Sequence, residues 1–138
     1  MSVPPERLHL VRQWVVKAEH DLRNANHTLT MGNDCPYDTV CFHAQQCAEK
    51  YLKAMLCHLA IDFPKIHDLG ELAALLPTGT VRFPLSIDER ERLADYAGAT
   101  RYPGEEEAIE RADAEEAVAL ALRIREAVRA HLPEGALG

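Results

Sequence analysis

One stretch constrains the fold more than any other: Phe42-His43-Ala44-Gln45-Gln46-Cys47-Ala48-Glu49-Lys50-Tyr51-Leu52-Lys53-Ala54. Its neighbourhood carries two apolar stripes at helical spacing. Val40, Ala44, Cys47, Tyr51, Met55 and His58 step by three and four residues, and Cys41, Ala48, Leu52, Leu56 and Leu59 run beside them. A helix apolar over two stripes has to be wedged between other helices. Thr39, His43, Gln46, Lys50 and Lys53 follow the same spacing along the remaining edge. That edge either meets water or, in the middle of a bundle, offers His, Gln and Lys to a phosphate-bearing ligand.

The rest of the chain is patterned for helices as well. Leu8, Val11, Val15, Ala18, Leu22, Ala25 and Leu29 predict a first helix of roughly residues 5–31, broken by Gly32-Asn33-Asp34. Pro36 suits the first turn of the second helix, which runs to about Ala60. His67-Asp68-Leu69-Gly70-Glu71 opens a short third helix, with Asp68 and Glu71 at capping-box spacing. Ser86 and Glu89 form a second such box and start a fourth helix to about Ala97. After the break at Arg101-Tyr102-Pro103-Gly104 and the acidic run Glu105-Glu106-Glu107, a last helix is predicted from near Asp113. Ala114, Ala117, Ala121, Ile124 and Val128 make its core stripe, and Glu134 to Gly138 read as a frayed tail. Thr80-Val81-Arg82-Phe83 is too short for a strand and is closed by a proline. The expectation is an all-α, up-and-down bundle of four to five helices in one domain, residues 1–138 with a core of about 8–132.

Charge and cysteine content narrow the function classes. The net charge is −7, and the acidity is concentrated late: residues 1–68 hold 7 basic and 8 acidic side chains, residues 69–138 hold 8 and 14. This argues against a broad basic surface that coats nucleic acid and makes RNA a less favoured partner, although it leaves room for a local basic pocket. No apolar run approaches the roughly 20 residues of a membrane span. Met1-Ser2-Val3-Pro4-Pro5-Glu6 lacks a basic start with an apolar core, so a cytoplasmic chain is expected. Cys35, Cys41, Cys47 and Cys57 point in different directions around one helix without a C-x-x-C, which predicts buried reduced thiols rather than a metal site. Neither a metal nor a cofactor is expected.

Six of the seven histidines precede residue 68. His9, His20 and His27 share a line with Gln13 and Asn24, opposite the apolar stripe of the first helix, and face solvent or a partner. His67 sits at a loop-to-helix junction, where it either offers a donor to an anion or caps the helix and braces the loop. Arg101 and Tyr102 lie in a turn fixed by Pro103. An arginine there binds carboxylate or phosphate as a planar fork or pairs with the neighbouring glutamates, and a tyrosine stacks or donates.

The block Phe42 to Ala54, followed by His67-Asp68-Leu69 and Arg101-Tyr102-Pro103, resembles the signature of the HEPN domain family, and Ala18-Glu19-His20-Asp21-Leu22-Arg23-Asn24-Ala25 is similar to that family's first helix. The resemblance covers about residues 8–132. It implies a helical bundle, commonly a homodimer, often encoded beside a small nucleotidyltransferase in toxin–antitoxin-like pairs. It also implies nucleotide binding in the family and, in some members, metal-independent ribonuclease activity. That ribonuclease branch uses an Arg followed after four to six residues by a His. Here Arg101 is followed by Tyr-Pro-Gly-Glu-Glu-Glu-Ala, with no His, and three carboxylates would repel an RNA phosphate. Arg125 to His131 matches the spacing, but at the end of the last helix.

Two functions of different class follow from these residues. The first is a non-catalytic, homodimeric module with no catalytic residues, which binds a nucleotide or other phosphate-bearing ligand, a nucleotidyltransferase partner, or both. Lys50 and Lys53 would supply phosphate cations, Arg101 the fork, Tyr102 a stacking surface and His67 a donor, with His43 and Gln46 as further cleft residues. The second is a ribonuclease toxin in which Arg101 stabilises the phosphorane and His43 or His67 serves as acid/base.

Overall fold

A computed structural model describes residues 3–79, 82–98 and 108–137. Among these residues all regular structure is helical. Helix α1 spans Pro5–Leu29, α2 Tyr37–His58, α3 Leu69–Ala74, α4 Ile87–Ala94 and α5 Arg111–Arg129. Short 3₁₀ turns cover Gly32–Asp34, Asp95–Ala97 and Glu134–Ala136. The all-α bundle read from the periodicity is therefore the fold.

Helix α2 is the wedge. Helices α1 and α5 both pack along it, and α3, α4 and the turn after α4 close over its remaining side. Both predicted stripes of α2 are buried from Val40 to Leu56, and the α1 stripe is buried from Val11 to Ala25. Alanines 18, 25, 44, 48, 114, 117 and 121 lie at the contacts and let the helix axes approach closely. Contacts of Asp21 with His43, Trp14 with Lys53, Leu29 with Arg111 and Glu19 with Arg125 fix the directions. Helix α1 runs antiparallel to both long partners, so α5 runs in the same direction as α2, and α3 and α4 supply the return.

Helix ends depart from the predicted positions for local reasons. Pro36 is the residue before α2, in extended backbone, rather than part of its first turn. At the other end, the Ile61 N–H donates to the Leu56 carbonyl at 2.9 Å and the Ala60 N–H to the Cys57 carbonyl at 3.1 Å. This Schellman closure stops the helix at His58 and puts Ala60 at φ 59°. Helix α4 has the predicted box: Glu89 N–H donates to Ser86 Oγ at 3.1 Å and Ser86 N–H to Glu89 Oε1 at 2.9 Å. Helix α5 starts earlier than Asp113. Glu110 is its cap, and Asp113 reaches back to the Glu110 N–H at 2.9 Å. The expected frayed tail is also corrected. Ala136 is fully buried, and Gly135 passes against Leu8 of α1, where a side chain would crowd the leucine.

Candidate functional site

The polar edge of α2 does not simply face water. Thr39 is exposed and His43 and Lys50 are half-buried, but Gln46 and Lys53 are only 8% and 6% exposed. The reason is Glu49, one position from the predicted line and 1% exposed. A carboxylate this deep needs several donors. Its Oε1 accepts from Lys53 Nζ at 2.9 Å and pairs with His67 Nδ1 at 2.7 Å. Its Oε2 accepts from Gln46 Nε2 at 3.0 Å and Gln45 Nε2 at 3.4 Å. Gln46 also donates to Gln45 Oε1 at 2.7 Å. Lys53 Nζ lies 5.3 Å from the centre of the Trp14 ring, so α1 covers the ammonium with an aromatic face. The His67 side chain is 71% exposed, so one ring edge is pinned to Glu49 while the rest faces solvent.

A second cluster joins α1 and α2 further along. Asp21 of α1 is buried between two residues of α2, with His43 Nδ1 at 2.8 Å on one oxygen and Lys50 Nζ on the other. A third cluster ties in α5. Glu19 takes both arms of Arg125, Nε at 2.8 Å and a terminal nitrogen at 3.0 Å, and accepts from the Tyr51 hydroxyl at 2.5 Å. Arg129 donates to the same hydroxyl at 3.2 Å. The Arg125 fork outweighs the cost of burial and holds Glu19 below the usual carboxylate range, while Arg125 itself is raised. Burial first, and the hydrogen bond to Glu19 second, raise the Tyr51 phenol. Burial, with Glu19 and Asp21 nearby, pushes the Cys47 thiol up to about 12, so it is no nucleophile at neutral pH.

The structure thus brings His43, Gln46, Lys50, Lys53 and His67 onto two carboxylates. Arg101 and Tyr102 lie outside the described residues. Chemically, Lys50 and Lys53 are already neutralised, and a phosphate reaching them would have to compete with Asp21 and Glu49. His43 and His67 each use Nδ1 on a carboxylate, which leaves the other ring nitrogen for a ligand. Arg125 is fully engaged by Glu19, and His131 is exposed at the end of α5, so that pair is not assembled for phosphate chemistry. Glu19, Asp21 and Glu49 were the residues missed as centres. The spacing of Glu49 to Gln45, Gln46 and Lys53 was a readable signal for one of them. The partners from other helices were not.

The outer face of α1 is different. His9, Gln13, His20, Asn24 and His27 are all exposed, as their line opposite the apolar stripe predicts. Shallow concavities run along this face, lined by α1 residues including Arg12, Lys17 and Arg23.

A profile of the HEPN domain matches residues 11–131. The chain belongs to the HEPN family. Two solved structures resemble this HEPN domain. TT1696 from Thermus thermophilus is 34% identical, with a TM-score of 0.68 over 88% of this chain and 98% of the other. ST0689, an archaeal HEPN homologue, is 26% identical, with a TM-score of 0.63 over 87% and 95%. No curated protein matches the chain significantly. In this HEPN domain the signature block of α2 therefore supplies the glutamate, glutamines and lysine of a buried polar network that ties α2 to α1 and to the loop before α3.

Proposed function

We propose that this HEPN domain is a non-catalytic, homodimeric binding module that acts with a small nucleotidyltransferase in a toxin–antitoxin-like pair. The observation that carries the non-catalytic part of this reading is the commitment of Lys50, Lys53 and Arg125 to Asp21, Glu49 and Glu19; the dimer and the nucleotidyltransferase partner are proposed from membership of the HEPN family. Cations held this way brace helices, and they are poorly placed to stabilise charge that develops in a reaction. A phosphate-bearing ligand, a nucleotide among them, would be met by the open edges of His43 and His67 and by Arg101 and Tyr102, and would have to compete with Asp21 for Lys50. Gln46 and Lys53 would act from behind, through Glu49.

The Asp21–His43 pair favours a second reading. A carboxylate that orients an imidazole is also how a general base is built. On that reading the domain is a metal-independent ribonuclease in which His43 moves the proton and Arg101 steadies the phosphorane. Purified protein incubated with unstructured RNA in the presence of a chelator separates the two. No cleavage is expected, together with salt-sensitive nucleotide binding that weakens in Arg101→Ala and a dimer by light scattering. Robust cleavage lost in both His43→Ala and Arg101→Ala would establish the ribonuclease instead.

A further inference from the structure

Helix α1 buries one face on α2 and leaves a second periodic face uncovered by any other described element. His9, Gln13, Val16, His20, Arg23 and His27 alternate steps of four and three residues, the spacing with which one helix seats another. All six are exposed, and the seam they form is about 27 Å long. Two shallow concavities meet at His20 along it, both lined by α1 alone.

From Arg12 to Arg23 the electrostatics of this face are one-sided; Glu6, one step before His9, is the exposed acid at its N-terminal end. Arg12 and Lys17 flank the seam on opposite sides, and Arg23 lies within it. None of the three makes an ion pair among the described residues. The acids in the middle of the helix, Glu19 and Asp21, are turned away and spent on Arg125, Lys50 and His43. A chain of net charge −7 thus presents a strip of unmatched cations on its longest helix.

We propose that this strip is the docking site for an acidic amphipathic helix of a partner protein, whose carboxylates meet Arg12, Lys17 and Arg23 and whose apolar side chain covers Val16. The proposal rests on the partner-binding reading above and names the chemistry of that partner. Val16 is 45% exposed at the centre of the seam, where it would contribute nothing to a phosphate backbone but forms the floor of a helix contact. The net negative charge of the domain further disfavours a long polyanion. A second copy related by a two-fold axis would set the same cations against one another, so this face is left for a different protein.

Fluorescence anisotropy tests the proposal with three labelled probes: a helical peptide with leucines flanked by glutamates, its lysine-for-glutamate counterpart, and a single-stranded oligouridylate. The acidic peptide is expected to bind and the lysine peptide not to. Affinity should fall with salt and drop about tenfold or more in Arg12→Glu/Arg23→Glu, as charge reversal at a rim requires. The milder Arg12→Gln/Arg23→Gln and Val16→Asp variants should weaken it as well, with circular dichroism unchanged because all three side chains are exposed. Equal binding of the two peptides, or an acidic-peptide affinity indifferent to every variant, overturns the proposal. So does tighter, variant-sensitive binding of the oligouridylate, which would make the strip a nucleic-acid surface. Light scattering and the cleavage assay on the same variants report the dimeric, non-catalytic reading separately.

Discussion

At the scale of single residues, Glu49 organises more of this domain than any cation near it. It is almost fully buried, and Lys53, His67, Gln45 and Gln46 all converge on it. Glu49→Leu should therefore cost about 3–5 kcal/mol in chemical denaturation, because it strands the Lys53 ammonium in the interior. Adding Lys53→Met should recover much of that loss, and a double mutant no better than Glu49→Leu would show that the ammonium was not the problem. The opposite case is His58, whose Nδ1 is buried without a hydrogen bond. Burial, helped by the Arg7 charge, lowers its affinity for a proton. The unfolded chain therefore takes up the proton first, and stability falls as pH drops below about 6.5 until the folded imidazole also titrates. His58→Leu should flatten that part of the stability–pH curve and leave the neutral-pH midpoint unchanged or higher. A steeper curve in the variant would refute this sign. The position of His58 on an apolar stripe was legible in the sequence, but its orphaned nitrogen was not, because the surroundings come from the fold.

Among the elements, signals confined to one turn of chain translated best. Ser86 and Glu89 are three residues apart, satisfy each other's backbone, and start α4 where the spacing says. Asp113 had the same spacing to Glu116, yet Asp113 serves Glu110 while Glu116 binds Arg92 of α4. Two boxes could be written over the same residues, and the contact with α4 accompanies the one adopted. The end of α2 was harder to see because it uses no glycine. Ala60 occupies the left-handed position of the Schellman closure, a backbone conformation that costs an L-residue roughly 1–2 kcal/mol. Ala60→Gly should raise stability by about 1 kcal/mol, less what glycine gives back through its freer unfolded chain. A fall in the denaturation midpoint would show that the alanine side chain is worth more than the strain it bears.

For the molecule as a whole, apolar periodicity was sufficient to place α1, α2 and α5, since burial of a stripe is a property each helix announces by itself. The candidate site was less legible. Lys50 and Lys53 are spaced as if to grip a phosphate, and only the packing of α1 reveals Asp21 and Trp14 against them. The tail shows the same limit: a short run after a proline carries no period, yet Ala136 is sealed onto α1. Close approach of α5 to the bundle rests on its alanines. Ala121→Leu should cost roughly 1–3 kcal/mol by overpacking a fully buried contact, while Ala119→Leu, exposed one turn-face away, should be nearly silent. Equal midpoints for the two would remove α5 from its assigned orientation.

The four thiols make the domain a stopwatch for its own opening. Cys57 is half-buried, whereas Cys35, Cys41 and Cys47 are sealed at three different places in and before α2. In a thiol-specific reagent at neutral pH, Cys57 should be labelled first and Cys41 and Cys47 only when α2 loses its neighbours. Cys35, which donates to the Thr28 carbonyl at 3.2 Å, should report the parting of the α1–α2 connection. Mass spectrometry of a single labelling time course can therefore read three breathing motions from one unmodified chain, and the gap between the Cys35 and Cys47 rates measures how far the hairpin comes apart before the bundle does.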